Sequence, residues 1–183
     1  MKYNPDIHHR RSIRLKGYDY SQAGLYFVTI CTQNRECFFG NITNGEMNLN
    51  EAGQMVERWY LELENKFLDI KCREHITMPN HFHCIIENVG LNTNGEPVQK
   101  GEPVQKGEHI GSPLHRVIQW FKTMSTNEYI RGVKNYGWQR FNGKLWQRNY
   151  YENIIRDEEF HNQISEYIIN NPLKWDTDKY YIS

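Results

Sequence analysis

Residues 78–86 read Met-Pro-Asn-His-Phe-His-Cys-Ile-Ile and place two histidines, one residue apart, at the start of an apolar run. The Pro-Asn pair is a chain-breaking signal, so a strand is predicted to begin at His81. Because alternate side chains of a strand project from the same face, His81 and His83 are expected to lie together. Phe82 and Cys84 then face the other way. Two neutral imidazoles so arranged are half of a divalent-metal site; the alternative is two unrelated polar residues on the solvent face of an amphipathic strand.

The segments around this strand predict an α+β fold. β-Branched and aromatic residues predict strands over residues 25–32, 69–77 and 81–89, and a strand or extended segment over 144–155. Apolar residues at helical spacing predict helices over residues 50–67, from 112 onward and over 157–171. Adjacent strands are not separated by helices, which indicates a mainly antiparallel central sheet flanked by helices. The 183 residues are expected to form one domain, residues 1–183.

Local signals predict where several of these elements begin and end. Asn44 and Gly45 form a turn signal, and Asn50 is a suitable N-cap for the first helix. Ser112 is predicted to cap the second helix, with the following proline at the first helical position. Pro172 is predicted to end the last helix.

Residues 90–111 form a segment of low complexity. The hexapeptide Gly-Glu-Pro-Val-Gln-Lys at residues 95–100 is repeated at once at residues 101–106. Two short copies cannot build a repeat architecture, and a Gly- and Pro-rich charged tract buries little apolar area. The segment is therefore predicted to be a flexible exposed loop without catalytic residues.

The composition excludes several protein classes. The four cysteines form no CxxC pair, which argues against a structural zinc site. With no apolar run long enough for a signal peptide or a membrane span, the chain is expected to be soluble and cytoplasmic, with free thiols and no membrane partner.

The formal net charge is zero, with 22 basic and 22 acidic residues, but the charges are segregated. Basic residues are concentrated in the first sixteen residues and in residues 116–150. One interpretation is a basic face that binds phosphates, and the alternative is an ordinary solvated surface. The candidates for phosphate contacts are Arg10, Arg11, Arg14, Arg116, Lys122, Arg140 and Arg148.

One face of the predicted last helix combines apolar residues with Tyr167 and Asn171. The face comprises Phe160, Ile164, Tyr167, Ile168 and Asn171. A phenol and an amide oxygen four residues apart on a helix can approach the same point in space. The competing interpretation is that Tyr167 is a core residue and that Asn171 only marks the helix end before a proline.

The strand with the two histidines, together with residues 26–33, 145–156 and 167–172, resembles the REP-associated branch (RAYT proteins) of the single-tyrosine HUH transposases. The resemblance extends over roughly residues 10–175 and depends on the motifs in combination. It implies a ferredoxin-like fold, a small antiparallel sheet flanked by helices, and metal-dependent cleavage and rejoining of single-stranded DNA.

The same resemblance assigns roles to individual residues. It implies that His81 and His83 bind the metal, that Tyr167 is the nucleophile and that Asn171 is a third, amide ligand; the neighbouring Asn170 remains an alternative to Asn171. Tyr150 and Tyr151 are the rival tyrosines, but they lie in a motif that does not carry the nucleophile of the family. Glu87 lies on the same strand face as the histidines and either orients a ligand or is a solvated acid.

The expected activity follows from these roles. Imidazole and amide ligands with open coordination positions suit Mg²⁺ or Mn²⁺, and also admit Zn²⁺ or Co²⁺ in vitro. The implied partners are single-stranded DNA and hairpins of the REP type, and the implied intermediate is a 5′-phosphotyrosine. A hairpin-binding protein with little or no cleavage activity and a metal-dependent hydrolase that uses water are the alternatives. The expected oligomeric state is a monomer or a homodimer.

Overall fold

A computed structural model describes residues 18–91, residue 96 and residues 111–181. Arg10, Arg11, Arg14 and most of the predicted 90–111 loop lie outside these residues. The strands are β1 (Gly24–Cys31), β2 (Gly40–Thr43), β3 (Glu46–Leu49), β4 (Ile70–Met78), β5 (His81–Asn88) and β6 (Tyr151–Ile155). The helices are α1 (Glu51–Lys66), α2 (Leu114–Asn135) and α3 (Glu158–Ile169), with short 3-10 helices at Gln33–Arg35 and Pro172–Thr177.

The central sheet has four strands in the order β4-β5-β1-β6, and every neighbouring pair is antiparallel. This confirms the predicted α+β class. Within the β1–β5 pair, Thr29 lies opposite His83 and Cys31 lies opposite His81. The histidines therefore lie in a central strand, beside the buried end of β1.

Helices cover the sheet on both faces. Tyr26, Val28, Phe82, Cys84 and Ile86 of the sheet are buried in one hydrophobic cluster with residues of α1 and α2. Ile85 and Ile155 of the other face form a second, smaller cluster with Ile164 and Ile168 of α3. As predicted, Phe82 and Cys84 face away from the side of the sheet that carries the histidines.

The hairpin of β2 and β3 is a separate two-stranded sheet that the sequence indicated only by its turn. Asn44 and Gly45 have φ angles of 54° and 77°, the left-handed pair typical of a type I′ turn. Asn50 then caps α1, because its side-chain oxygen accepts a hydrogen bond from Gly53 N at 2.9 Å. Both local predictions are confirmed.

Two predicted boundaries were wrong. The N-cap position of α2 is Pro113. Ser112 instead donates its hydroxyl to Asp69 Oδ1 at 2.8 Å and its backbone N–H to the other oxygen of the same carboxylate. Helix α3 ends at Ile169 rather than at Asn171, which instead precedes the 3-10 helix. Of the 144–155 segment, only Tyr151–Ile155 is a strand.

No helix among the described residues is both long enough and apolar enough to cross a membrane.

Candidate active site

The two histidines of β5 are adjacent and buried. His81 is 0% exposed and His83 is 1% exposed, and their ring centroids lie 4.5 Å apart. Aromatic rings surround the pair: Tyr180 lies 4.7 Å from His81, and Phe27 stacks on His83 at 5.4 Å. Burial of two imidazoles at one point has a cost, which identifies this part of the molecule as a candidate site.

The hydrogen bonds of His81 fix its tautomer. Its Nδ1 lies 2.8 Å from Asn80 Oδ1, and the amide nitrogen of Asn80 donates to the carbonyl oxygens of Arg35 and Tyr180. An amide oxygen only accepts, so Nδ1 of His81 carries the proton and Nε2 presents a lone pair. The Nδ1 of His83 is similarly engaged by Thr29 Oγ1 at 2.8 Å. Such support of the outer nitrogen is typical of metal-binding histidines.

Tyr167 brings its hydroxyl to the histidine pair. Helix α3 lies across this face of the sheet, and Tyr167 Oη is 3.2 Å from His83 Nε2. The ring is half-buried and packs edge-on against Phe27, with centroids 6.0 Å apart. Burial, followed by the charge of Asp178, raises the pKa of Tyr167, so the hydroxyl keeps its proton near neutral pH. Because its ring is only half-buried and its hydroxyl contacts His83, Tyr167 is not enclosed in an aliphatic core.

Two buried polar atoms at this point lack hydrogen-bond partners among the described residues: His81 Nε2 and Asn171 Oδ1. Asn171 is 1% exposed, and its amide nitrogen donates to Asp178 Oδ2 at 3.4 Å. A buried lone pair without a donor is costly, and a cation satisfies both atoms at once. The residues present thus fit a divalent ion.

The protonation states of the histidines suit metal binding. Burial lowers the pKa of His81 to about 3. The nearby amide of Asn171 opposes this lowering of the pKa, although the amide does not reach hydrogen-bonding geometry with His81 Nε2. Burial, reinforced by the neighbouring His81, holds the pKa of His83 well below its usual value. Both rings are therefore neutral at physiological pH, as ligands must be.

Asp178 was not predicted as a site residue. Its carboxylate and one ring nitrogen from each histidine all lie within 4.8 Å of one another. Asp178 follows the 3-10 helix in a short polar segment, where neither periodicity nor a motif distinguishes it from the exposed Asp176. Only the return of the chain over the sheet brings it to the histidines.

The site opens into a cavity of about 290 Å³, and its lining includes Tyr167, Asn171 and Asp178. Two lysines that were not predicted as site residues, Lys174 and Lys179, also line it. A smaller cavity of about 160 Å³ adjoins it at the edge strand β6. The two cavities share Phe27, Thr29 and Lys179 as lining residues. Tyr151, which is 51% exposed, lines the smaller one.

The remaining candidates lie elsewhere. Glu87 is engaged by Arg73 in an ion pair. Lys122 and Arg148 line a cleft of about 810 Å³ beside α2, together with Tyr150. Lys122 Nζ donates to the carbonyl oxygens of Gln147, Arg148 and Asn149 at 3.0, 3.4 and 3.2 Å. Arg116 and Arg140 are exposed and do not line this cleft.

Comparison with known proteins finds a relative in sequence and similar solved structures. An uncharacterized protein of Haemophilus influenzae is 42% identical over 187 residues, an alignment that covers 99% of this chain and 98% of the relative. No protein-family model matches the chain. The structure of a REP-associated tyrosine transposase bound to a REP hairpin superposes with a TM-score of 0.50 at 17% identity, and covers 89% of this chain and 74% of that one.

Proposed function

We propose that this chain, which belongs to the same family as the Haemophilus influenzae protein, cleaves and rejoins single-stranded DNA beside hairpins. The proposal starts from its fold, which is that of a REP-associated tyrosine transposase. In this proposal Tyr167 is the nucleophile, and His81, His83 and Asn171 bind a divalent cation, Mg²⁺ or Mn²⁺. The reaction proceeds through a 5′-phosphotyrosine intermediate.

The observation that carries this proposal is the 3.2 Å contact of Tyr167 Oη with His83 Nε2, beside two buried polar atoms that have no hydrogen-bond partner in the described part of the chain. A tyrosine with only a structural role does not need unsatisfied lone pairs near its hydroxyl. A nucleophile of this kind does need them nearby as cation ligands, because one phosphate must contact both the cation and the tyrosine oxygen.

The residues of the site divide the chemistry among them. Tyr167 loses its proton to water, and its oxygen attacks the phosphorus of the scissile phosphodiester. The bond to the 3′ oxygen of the preceding nucleotide breaks, so the 5′ end becomes linked to the tyrosine. The 3′ oxygen takes a proton from water and leaves as a hydroxyl. When bound, the divalent cation neutralises the charge on the non-bridging phosphate oxygens and favours the phenolate. Because the phosphotyrosine retains the diester bond energy, a 3′-hydroxyl can reverse the step and join strands.

The surroundings of the site suggest a path for the DNA. Lys174 and Lys179 line the site cavity and are placed to contact the phosphates that flank the scissile bond. The adjoining cavity offers the exposed ring of Tyr151 as a stacking surface for an unpaired base. The cleft with Lys122 and Arg148 beside α2 would accept the backbone of a hairpin stem.

The test uses a 3′-end-labelled DNA hairpin with single-stranded flanks, incubated with Mn²⁺ and resolved on a denaturing gel. We expect label linked to the wild-type protein and to the Tyr151→Phe variant, but not to Tyr167→Phe. Tyr151 is the matched control because it is an exposed tyrosine that borders the adjoining cavity.

The other outcomes identify the alternatives. DNA that is shifted on a native gel but never cut by the wild-type protein would identify a hairpin-binding protein. Cutting that persists in Tyr167→Phe, without covalent label, would identify a hydrolase that uses water.

A further inference from the structure

We propose that Asp178 is a fourth ligand of the cation and that the C-terminal strap, residues 172–181, delivers it; the inference rests on the metal site of the proposed function. The strap comprises the 3-10 helix and the residues after it. It lies over the histidine pair, because Trp175 and Tyr180 pack on the His81 ring with centroids 6.0 and 4.7 Å away.

The distances fit coordination. One ring nitrogen of each histidine and one Asp178 oxygen all lie within 4.8 Å of one another. Two ligands on opposite sides of Mg²⁺ are about 4.2 Å apart, twice a bond of about 2.1 Å. The separations of the three ligand atoms are therefore within a few tenths of an ångström of those that an ion needs, or already below them.

The carboxylate is oriented and still has capacity for a cation. Asp178 Oδ1 accepts the backbone N–H of Tyr180 at 2.6 Å, and Oδ2 accepts the amide of Asn171 at 3.4 Å. An ionised carboxylate can accept about four such interactions, so lone pairs remain. The same contact turns the amide nitrogen of Asn171 toward Asp178, and Asn171 Oδ1 then has no hydrogen-bond partner within residues 18–91, residue 96 and residues 111–181.

The charge of the site also requires an acid. His81, His83 and Asn171 are neutral ligands, and Lys174 and Lys179 add positive charge to the same cavity. A divalent cation in a buried site of this kind is repelled by the lysines. Asp178 supplies negative charge at the point where the neutral ligands converge.

Two residues anchor the strap. Arg35 Nη1 donates to the Lys179 carbonyl at 2.8 Å, and Asn80 Nδ2 donates to the Tyr180 carbonyl at 2.8 Å. Arg35 has a φ angle of 58°, a left-handed conformation that a non-glycine residue adopts only when its surroundings enforce it. Since Asn80 Oδ1 also orients His81, one side chain positions both a histidine ligand and the strap with the carboxylate.

The first experiment measures Mn²⁺ affinity of the folded protein by calorimetry or by electron paramagnetic resonance, without DNA. Asp178→Asn is expected to weaken binding by at least about 10- to 100-fold. Asp176→Asn, the same charge change at an exposed position of the strap, is expected to leave it unchanged. Equal affinity of wild type and Asp178→Asn would overturn the proposal.

A second experiment separates a ligand from a residue that only orients Asn171. A thiolate in place of the carboxylate makes the site prefer soft metals, so Asp178→Cys should bind Cd²⁺ with a new ultraviolet band from thiolate-to-metal charge transfer. Asp176→Cys and the wild type are the controls, because the wild type already contains four free cysteines, of which Cys37 is exposed. Absence of the extra band in a folded Asp178→Cys would overturn coordination by Asp178. A wild type that binds no Mn²⁺ would overturn both this proposal and the metal site on which it rests, whereas a wild type that binds Mn²⁺ no more tightly than Asp178→Asn would overturn this proposal alone.

Discussion

The face of the central sheet under α1 and α2 and the face under α3 are built from the same strands, yet they bury different chemistry. Along β5, Phe82, Cys84 and Ile86 enter the large hydrophobic cluster, while His81 and His83 lie on the opposite face with Tyr167. The alternation follows from the two-residue repeat of a strand.

The difference between the faces separates stability from function. Apolar burial stabilises the first face at roughly 25 cal/mol per Å². On the second face, buried imidazole and amide groups retain unsatisfied lone pairs that lower stability until a cation binds. Substitutions on the first face of β5 should therefore lower stability, whereas substitutions on the second face should lower metal binding and DNA cleavage.

The largest expected effect is on the second face. The double substitution His81→Ala and His83→Ala should lower the rate of DNA cleavage by at least about 10⁴-fold, because the cation contributes several kcal/mol and each ~1.36 kcal/mol is tenfold in rate. Single-turnover gels measure the rate, and circular dichroism should show a folded protein. Cleavage within tenfold of wild type would break the proposed division between the faces.

The neighbouring residue on the first face should have the opposite phenotype. Phe82→Ala removes a fully buried ring that stacks on Phe121, so the free energy of unfolding should fall by about 3–5 kcal/mol in urea titrations. Metal affinity of the fraction that remains folded should be unchanged. A loss of Mn²⁺ binding without loss of stability would contradict the comparison.

Metal binding should remove the cost of the second face. Mn²⁺ at about 100 times its dissociation constant should raise the free energy of unfolding by about 2.7 kcal/mol. Chelation should reverse the gain, and the His81→Ala variant should show none. The free energy of unfolding is measured by thermal or urea unfolding with and without Mn²⁺. If Mn²⁺ raises it equally in His81→Ala, the ion binds elsewhere.

The smallest effect concerns the cleft on the α2 side. Burial lowers the pKa of Lys122 to about 8, so this side chain is charged below that pH and loses its charge as the pH rises through it. If Lys122 contacts a phosphate, the slope of log K for hairpin binding against log salt should decrease in magnitude by about 0.9 between pH 7 and pH 9. The Lys122→Arg variant, which stays charged, should show no change. A pH-independent slope in the wild type would remove Lys122 from the interface.

Much of the fold could be predicted because its signals are local. The β5 strand, the Asn50 cap and the Asn44-Gly45 turn each depend on a few adjacent residues, and all three are confirmed. The Ser112 cap was wrong because the hydroxyl is directed away from the helix, to Asp69 43 positions away, and Pro113 takes the N-cap position. A competing partner at that distance leaves no trace in the local sequence.

The roles of Tyr167 and Asn171 were expected from a resemblance, and the residue pattern alone favoured a core tyrosine. The structure brings both side chains to the histidines, although Asn171 lies beyond the end of α3 rather than on it. Lys174, Lys179 and Asp178 were missed because they belong to a segment with neither periodicity nor motif.

By itself, the sequence determined which side chains of β5 share a face, because the repeat of a strand is a property of the backbone and needs no partner. Only the tertiary structure decided that Asp178 and Asn80 belong to the histidine site. These contacts join residues up to 100 positions apart, and their geometry depends on how the strap returns across the sheet.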